Sequence, residues 1–495
     1  MNARIRAVAA AATLTAAIGT VPPAHAAGGR VPVVVFHVYD AEGNRLSFDA
    51  FLKVTEASPK GYRNDVAYRL GDGTVVTWQP LVNDSGDPAL PVAEAGEGLS
   101  FAWPTANTGY STLLVDDGGA GFTGSGTVNL TFQAALDDRR KLDGALARRP
   151  EYVHGATFDT LNAQASALIA QAQATKDDPT RGALGQQALD VLAQAFEVLL
   201  EGDGAQRAAA AGHTEWWGVT DDSTSGASRV VGSIRDLVGG NADAYVRVVF
   251  DEGAKPSDYD ALVAKAEAAG VTVVGQILDS SAMKHVSLSA FERRVRDFVD
   301  HFPDIRVWEV GNEVNGGWLG SDVQAKIEYA AAYVKAKDPA DITMLTFFWQ
   351  MGTAGGPSST LFQWIHDHVG GSLRENTDIV ALSTWVGGAP LGMAQDEVFE
   401  RLHALFPASR VAMGELGYWE PGTTRIWWWR SRHDPTGAVR RALAVHMYQA
   451  SMAFPYSVGG VFWWYYRQEM SKETELWHAV SDVYRSIYPG LAGIG

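Results

Sequence analysis

Residues 304–314 read Asp304-Ile-Arg-Val-Trp-Glu-Val-Gly-Asn-Glu-Val314: an acid, a short apolar run, and an exit through Gly311-Asn312-Glu313. The run has the length of a strand and is too short for an amphipathic helix. The same opening, Asp-Ile before an apolar run, recurs at Asp341 and Asp378. Working outward, runs of this kind start near Glu215, Tyr245, Val271, Ile305, Ile342, Ile379, Val411 and Gly459. Helical segments lie between them. Phe291-Glu-Arg-Arg-Val-Arg-Asp-Phe-Val299 is one, with apolar and charged faces at a period of 3.6 residues. Eight strand–helix units over residues 212–495 predict an α/β fold, a (β/α)8 TIM barrel, whose usual length is roughly 250 residues. An open doubly wound sheet is the rival, but no Gly-x-Gly-x-x-Gly turn follows an early strand.

Ahead of the barrel the composition changes twice. Residues 1–26 carry Arg4 and Arg6, a short apolar run from Val8 to Ile18, and Ala24-His25-Ala26, which has the form of a cleavage site. This is the pattern of a secretory signal peptide, and its apolar run is too short to span a membrane. Residues 27–135 alternate apolar runs such as Val31-Pro-Val-Val-Val-Phe-His-Val38 with turns such as Asp40-Ala-Glu-Gly43 and Asp116-Asp-Gly-Gly119. Short strands at that spacing predict a small β-sandwich. Its start, Val38-Tyr-Asp-Ala-Glu-Gly-Asn-Arg-Leu46, resembles immunoglobulin-like accessory domains of secreted bacterial enzymes. Residues 136–211 are rich in Ala, Leu and Gln. Leu189, Val191, Leu192, Phe196, Leu199 and Leu200 follow a helical spacing.

Charge and composition narrow the function. The chain has 57 acidic and 40 basic residues, a net charge of -17. Removing the signal peptide takes away two arginines and no acid, which lowers the charge to -19. Such a chain repels polyphosphate, so no nucleic-acid partner is expected. There is no cysteine, which excludes thiol nucleophiles, thiolate-bound zinc, iron–sulfur clusters and disulfides. No stretch of the expected mature chain approaches membrane-span length. A secreted, soluble protein is the expectation.

In a barrel of this kind chemistry sits at the carboxyl ends of the strands. The fourth strand ends in Asn312-Glu313. The seventh, Arg410-Val-Ala-Met-Gly-Glu-Leu-Gly-Tyr-Trp419, places Glu415 at its exit. Two carboxyls facing one cleft suit glycosidic bond cleavage: one protonates the leaving oxygen and the other stabilises or attacks the sugar carbon. From Gly212 onward the chain resembles the clan A glycoside hydrolases. There an Asn-Glu pair closes strand four and a Glu closes strand seven. The resemblance implies Glu313 as acid/base, Glu415 as nucleophile, and Asn312 as the group holding the sugar's 2-hydroxyl. It also implies that Arg247, in Tyr245-Val-Arg-Val-Val-Phe250, orients the nucleophile, and that Gly459-Gly-Val-Phe-Trp-Trp-Tyr-Tyr466 floors the subsite for the sugar being cleaved. Two positions depart from that pattern. Val314 stands where many members have proline, and Ser383-Thr-Trp385 where many have His-x-Tyr, so the family within the clan and the sugar stay open.

Simpler roles compete at each position. Glu313 could cap a helix, and Glu420 is a loop acid close to Glu415. Glu309 shares the facing of Glu313 by strand alternation and is read as a buried structural acid, paired with Arg247. Fourteen of the sixteen tryptophans follow residue 200. Trp216, Trp217, Trp318, Trp349, Trp385, Trp419, Trp463 and Trp464 are placed at strand exits, where ring faces stack on sugars; core packing is the alternative for each. The loop Arg425-Ile-Trp-Trp-Trp-Arg-Ser-Arg-His433 is expected to wall the groove. His213, His366 and His368 do not make a metal set, no Gly-x-Ser-x-Gly elbow appears, and no cofactor is expected. The expectation is a retaining glycosidase acting on a poly- or oligosaccharide. The alternatives are a transglycosylase using the same acids and a carbohydrate-binding barrel without activity.

Overall fold

The computed structural model describes residues 31–55, 66–69, 81–92, 96–211, 215–239, 244–350, 360–387, 390–418 and 426–489. The expected signal peptide, His213, Trp419 and Glu420 lie outside them. In the N-terminal part, strands β1 (Val33–Tyr39), β2 (Arg45–Leu46), β4 (Val82–Asp84), β5 (Asp87–Pro91) and β8 (Gly126–Asn129) share one sheet. Strands β3 (Val66–Arg69), β6 (Glu97–Thr105) and β7 (Gly109–Val115) form a second, antiparallel one. In the first sheet β8 runs parallel to β1. Helices α1 (Phe48–Thr55), α2 (Leu130–Ala147), α3 (Ala156–Ala174) and α4 (Asp178–Ala210) complete this part.

Sheets and helices here are not separate units. Phe36, Phe101 and Trp103 from the strands share one apolar cluster with Leu142, Phe158, Leu192 and Phe196 from the helices. The division expected at 135/136 falls inside α2, which starts at its cap: the Asn129 side chain accepts a hydrogen bond from the Phe132 N–H.

Strands β9 (Trp216–Asp221), β10 (Ala244–Val249), β11 (Thr272–Gln276), β12 (Val307–Gly311), β13 (Ile342–Phe348), β14 (Ile379–Trp385), β15 (Arg410–Gly417) and β16 (Gly459–Trp463) close into a parallel barrel, β16 pairing back to β9. Helices follow the strands, as a (β/α)8 barrel requires. The lower interior is apolar: Val274, Val307, Met344, Ala381 and Phe462 meet there, and Trp216 stacks on Tyr245 at 4.5 Å. Because side chains alternate along a strand, the residue two further on faces the same way one layer higher. That rule carries Tyr245 to Arg247, Val274 to Gln276, Val307 to Glu309, Met344 to Thr346 and Ala381 to Ser383. The barrel is apolar below and polar at the carboxyl ends of its strands.

The two parts are bolted together. Arg149, on the chain after α2, is buried and bonds to Asp203, Asp396 and the Ala453 carbonyl. Helix α4 lies against the barrel helix Ala438–Ala450 so closely that a Cβ on Gly204 would sit 2.0 Å from the Gln449 carbonyl oxygen. The Trp427-Trp428-Trp429 loop belongs to this joint, which corrects the expected groove wall. All three rings are buried, the Tyr110 N–H donates to the Trp427 carbonyl, and the Trp429 and Arg430 N–H groups donate to the Thr108 carbonyl. Arg430 pairs with Glu197 of α4. Rings too costly to leave in water are buried within the protein, Trp427 against Tyr418 and Trp429 against His446, rather than left for a ligand.

Candidate active site

Strand β12 has a register shift against β13 between Glu309 and Gly311, and the chain then turns sharply. Glu313 takes φ +47°, a left-handed conformation uncommon for a residue with a side chain. The turn is held by the Val314 N–H donating to the Thr346 carbonyl and the Gly316 N–H donating to the Glu313 carbonyl. It leaves the Glu313 carboxyl buried, with the Ser280 hydroxyl donating to Oε2 and the Ser383 hydroxyl to Oε1, each at 2.8 Å.

A second irregularity sets Glu415. Ala381 and Ser383 on β14 face Ala412 and Glu415 on β15, so β15 carries one extra residue in that interval. Glu415 therefore faces inward like Ala412, although the two are three positions apart. Trp385 Nε1 donates to Glu415 Oε1 at 3.3 Å. Gly417 allows this ring to lie over β15, since a Cβ there would meet it at 2.2 Å.

Arg247 ties the site together. Its Nε and Nη2 donate to the two oxygens of Glu309 at 2.7 and 3.1 Å, Nη2 donates to Asn312 Oδ1 at 3.0 Å, and Nη2 lies 3.2 Å from Glu415 Oε2. The guanidinium also lies 5.4 Å from the ring centre of Trp464, a cation–π distance. Burial opposes its charge, but Glu309 and then Glu415 outweigh that, and Arg247 stays protonated with its pKa above the ordinary value.

Both acids at the strand exits hold their protons unusually well. Glu313 is raised to about 7, first by burial and then by the charge of Asp279, against the two serine hydroxyls. Glu415 is raised well above the ordinary carboxyl range, first by burial and then by the like charge of Glu313, with Arg247 opposing. Two buried carboxyls that raise one another release their protons as a pair. The cation in contact with Glu415 favours charge there after the first release, with the remaining proton on Glu313.

Glu313, Glu415, Asn312 and Arg247 thus lie together, with Trp385 and the Trp464 ring beside them. Trp385 lies 6.5 Å from Trp464 and 5.7 Å from Tyr465, ring centre to ring centre, and all three rings are partly exposed. Trp463 and Trp349 do not join them. Trp463 is fully buried and donates to Glu469. Trp349 is 1% exposed and donates to the Pro390 carbonyl. Both pack in the shell between strands and helices, facing away from the barrel axis. Trp216 and Trp217 begin the first strand rather than end it, and Trp318 packs edge-on against Phe348 at 5.3 Å. Ser280 and the role of Ser383 went unread in the sequence, although alternation from Ala381 points Ser383 inward. One residue beyond Glu313 begins an open groove of about 730 Å³, lined by Asn315, Asp322, Gln324, Trp364 and His368 among others. Among the described residues no group of three or more His, Asp or Glu could hold a metal ion.

Fold and site together define a (β/α)8 barrel with two mutually perturbed carboxyls at the fourth and seventh strand exits. No protein-family model and no curated protein matches the chain. Solved structures that resemble it include an FMN-binding β-glucuronidase from Facaelibacterium prausnitzii, with 12% identity and a TM-score of 0.35 over 51% of this chain and 37% of that one. Two fungal β-1,4-galactanases match at 12% identity and TM-score 0.38, over 57% of this chain and 97% of theirs. An Ignisphaera aggregans GH53 catalytic domain matches at 14% identity and TM-score 0.36, over 55% and 95%. The chain spans little more than a third of the length of the glucuronidase. At such distances the site's own geometry decides what it can do.

Proposed function

We propose that the protein is a retaining glycosidase of the clan A type, secreted after removal of its signal peptide, that cleaves a poly- or oligosaccharide by double displacement. The observation that carries this reading is the pair of buried carboxyls with unequal partners. Burial raises both, but Glu313 faces neutral hydroxyls, whereas Glu415 faces a guanidinium and an indole N–H. The first is suited to hold a proton near neutral pH and the second to carry charge. Glu313 passes its proton to the leaving glycosidic oxygen as Glu415 attacks the anomeric carbon and the C–O bond to the leaving group breaks. Glu313, now ionised, takes a proton from water, whose oxygen displaces Glu415 and releases the sugar. Trp385 and Trp464 offer ring faces for the sugar's C–H side. The Asn312 oxygen is occupied by Arg247, which leaves its N–H groups for a sugar hydroxyl.

The test is release of reducing ends from a panel of plant, fungal and bacterial-envelope glycans by the purified chain, beside Glu313→Gln and Glu415→Gln. Activity on at least one glycan that falls about a thousandfold or more in both variants supports the reading. Activity that survives either substitution refutes it.

A further inference from the structure

Glu309 lies one layer below the two acids, with no exposed side-chain surface. Nη2 of Arg247 carries two hydrogens and faces three acceptors: Glu309 Oε1, Asn312 Oδ1 and Glu415 Oε2. Glu309 and Asn312 take both. Glu415 Oε2, 3.2 Å away, is drawn by the charge but is left without a hydrogen bond. Glu309 is itself locked, since the Thr346 hydroxyl donates to its Oε1 at 2.5 Å and Arg247 Nε holds its Oε2 at 2.7 Å.

We infer that Glu309 is a positioning residue that turns the guanidinium of Arg247 away from full hydrogen bonding with Glu415, so that the Glu415 oxygen stays unquenched for attack. This rests on Glu415 being the nucleophile. Two physical effects work together. A carboxylate bonded by Arg N–H groups is stabilised as an anion and loses basicity, and with it nucleophilic strength. The bidentate pair with Glu309 also offsets part of the guanidinium's pull on Glu415, although Arg247 remains the group that favours ionisation there. The other charged or titratable groups facing Glu415 are Glu313 from strand four, Asp279 from beyond strand three, and Tyr465 after strand eight. None of these holds Arg247 by a hydrogen bond.

The test uses the full chain labelled at the glutamate side-chain carboxyl carbons and titrated by NMR, with the two acids assigned from Glu313→Gln and Glu415→Gln. Glu309→Gln keeps the shape but offers the guanidinium one acceptor instead of two, which frees an N–H for Glu415. The first titration step of the pair should then fall by about one pH unit or more. Glu309→Asp keeps the charge and draws the carboxylate back from the guanidinium; it should move the step the same way, and it is read if Glu309→Gln does not fold. On the substrate found active, kcat should fall about tenfold or more with KM within about threefold. A step that stays in place or rises overturns the inference, even if both variants are less stable. The titration needs no substrate, so a protein that cleaves none of the glycans tested sinks the glycosidase reading and leaves this measurement to stand or fall alone.

Discussion

Replacing Glu313 by Gln should make the protein more stable, and only where the pH is high. The carboxyl has an ordinary value of 4.5 and is raised to about 7 in the folded protein. Between those values the folded state binds more protons than the unfolded one, so stability falls as pH rises through that window. Above it the full cost of keeping a buried charge is present. A gap of that size corresponds to roughly 3 kcal/mol, and sharing the proton with Glu415 brings the expected gain in the variant to about 2–3 kcal/mol. Gln has nearly the same shape and carries no charge. The Ser280 and Ser383 hydroxyls can each donate or accept, so both hydrogen bonds survive the change. The assay is urea unfolding of both proteins at about pH 5 and about pH 8.5, comparing free-energy differences at each. A variant no more stable than the parent at the higher pH, or a gain of equal size at both, would refute the reasoning.

Ser383→Ala removes a hydrogen bond that favours the ionised form of Glu313, so the alkaline limb of kcat/KM should move up by about 0.5–1 pH unit; a limb that moves down contradicts the assignment of the acid. Gly204→Ala forces α4 away from the Gln449 carbonyl and should cost about 1–3 kcal/mol, read as earlier thermal unfolding and faster proteolysis in the N-terminal part. Arg149→Ala leaves the buried Asp203 carboxylate to Arg207 alone and Asp396 to Arg148 alone, and should cost about 1–3 kcal/mol at neutral pH, a loss that denaturant unfolding would measure.

Most of the barrel was legible because each strand announces itself locally. The eight expected starts fall within two residues of the observed ones, and Asn312-Glu313 and Glu415 could be placed near the ends of their strands. The orientation of the tryptophans could not. A ring at a strand exit faces the cleft or the helices according to parity, and Trp463 and Trp464 are neighbours with opposite fates. Bulges shift parity further: the extra residue between Ala412 and Glu415 reverses the count a regular strand would give. The joint was hidden for another reason. Arg149 and Ala453, or Thr108 and Trp429, are hundreds of positions apart, and nothing local in Trp427-Trp428-Trp429 says whether sugar or protein covers it. The expected split between sandwich and helices failed because sheet and helix faces each look complete in sequence, whereas here they bury one another.

The most direct test of the two carboxyl roles is the anomeric configuration, by NMR, of the glycosyl azides formed when Glu313→Ala and Glu415→Gly are given azide and an activated glycoside of the sugar the protein cleaves. If Glu415 attacks and Glu313 handles protons, loss of Glu313 leaves the first displacement intact and azide, which needs no base, completes the second. The adduct then keeps the substrate's configuration. Loss of Glu415 leaves azide to make a single displacement, and the adduct has the opposite configuration. Retained configuration from Glu313→Ala and inverted configuration from Glu415→Gly is the expected pairing. The reverse pairing would exchange the two roles, and an inverted first product from the unmutated protein would contradict double displacement altogether.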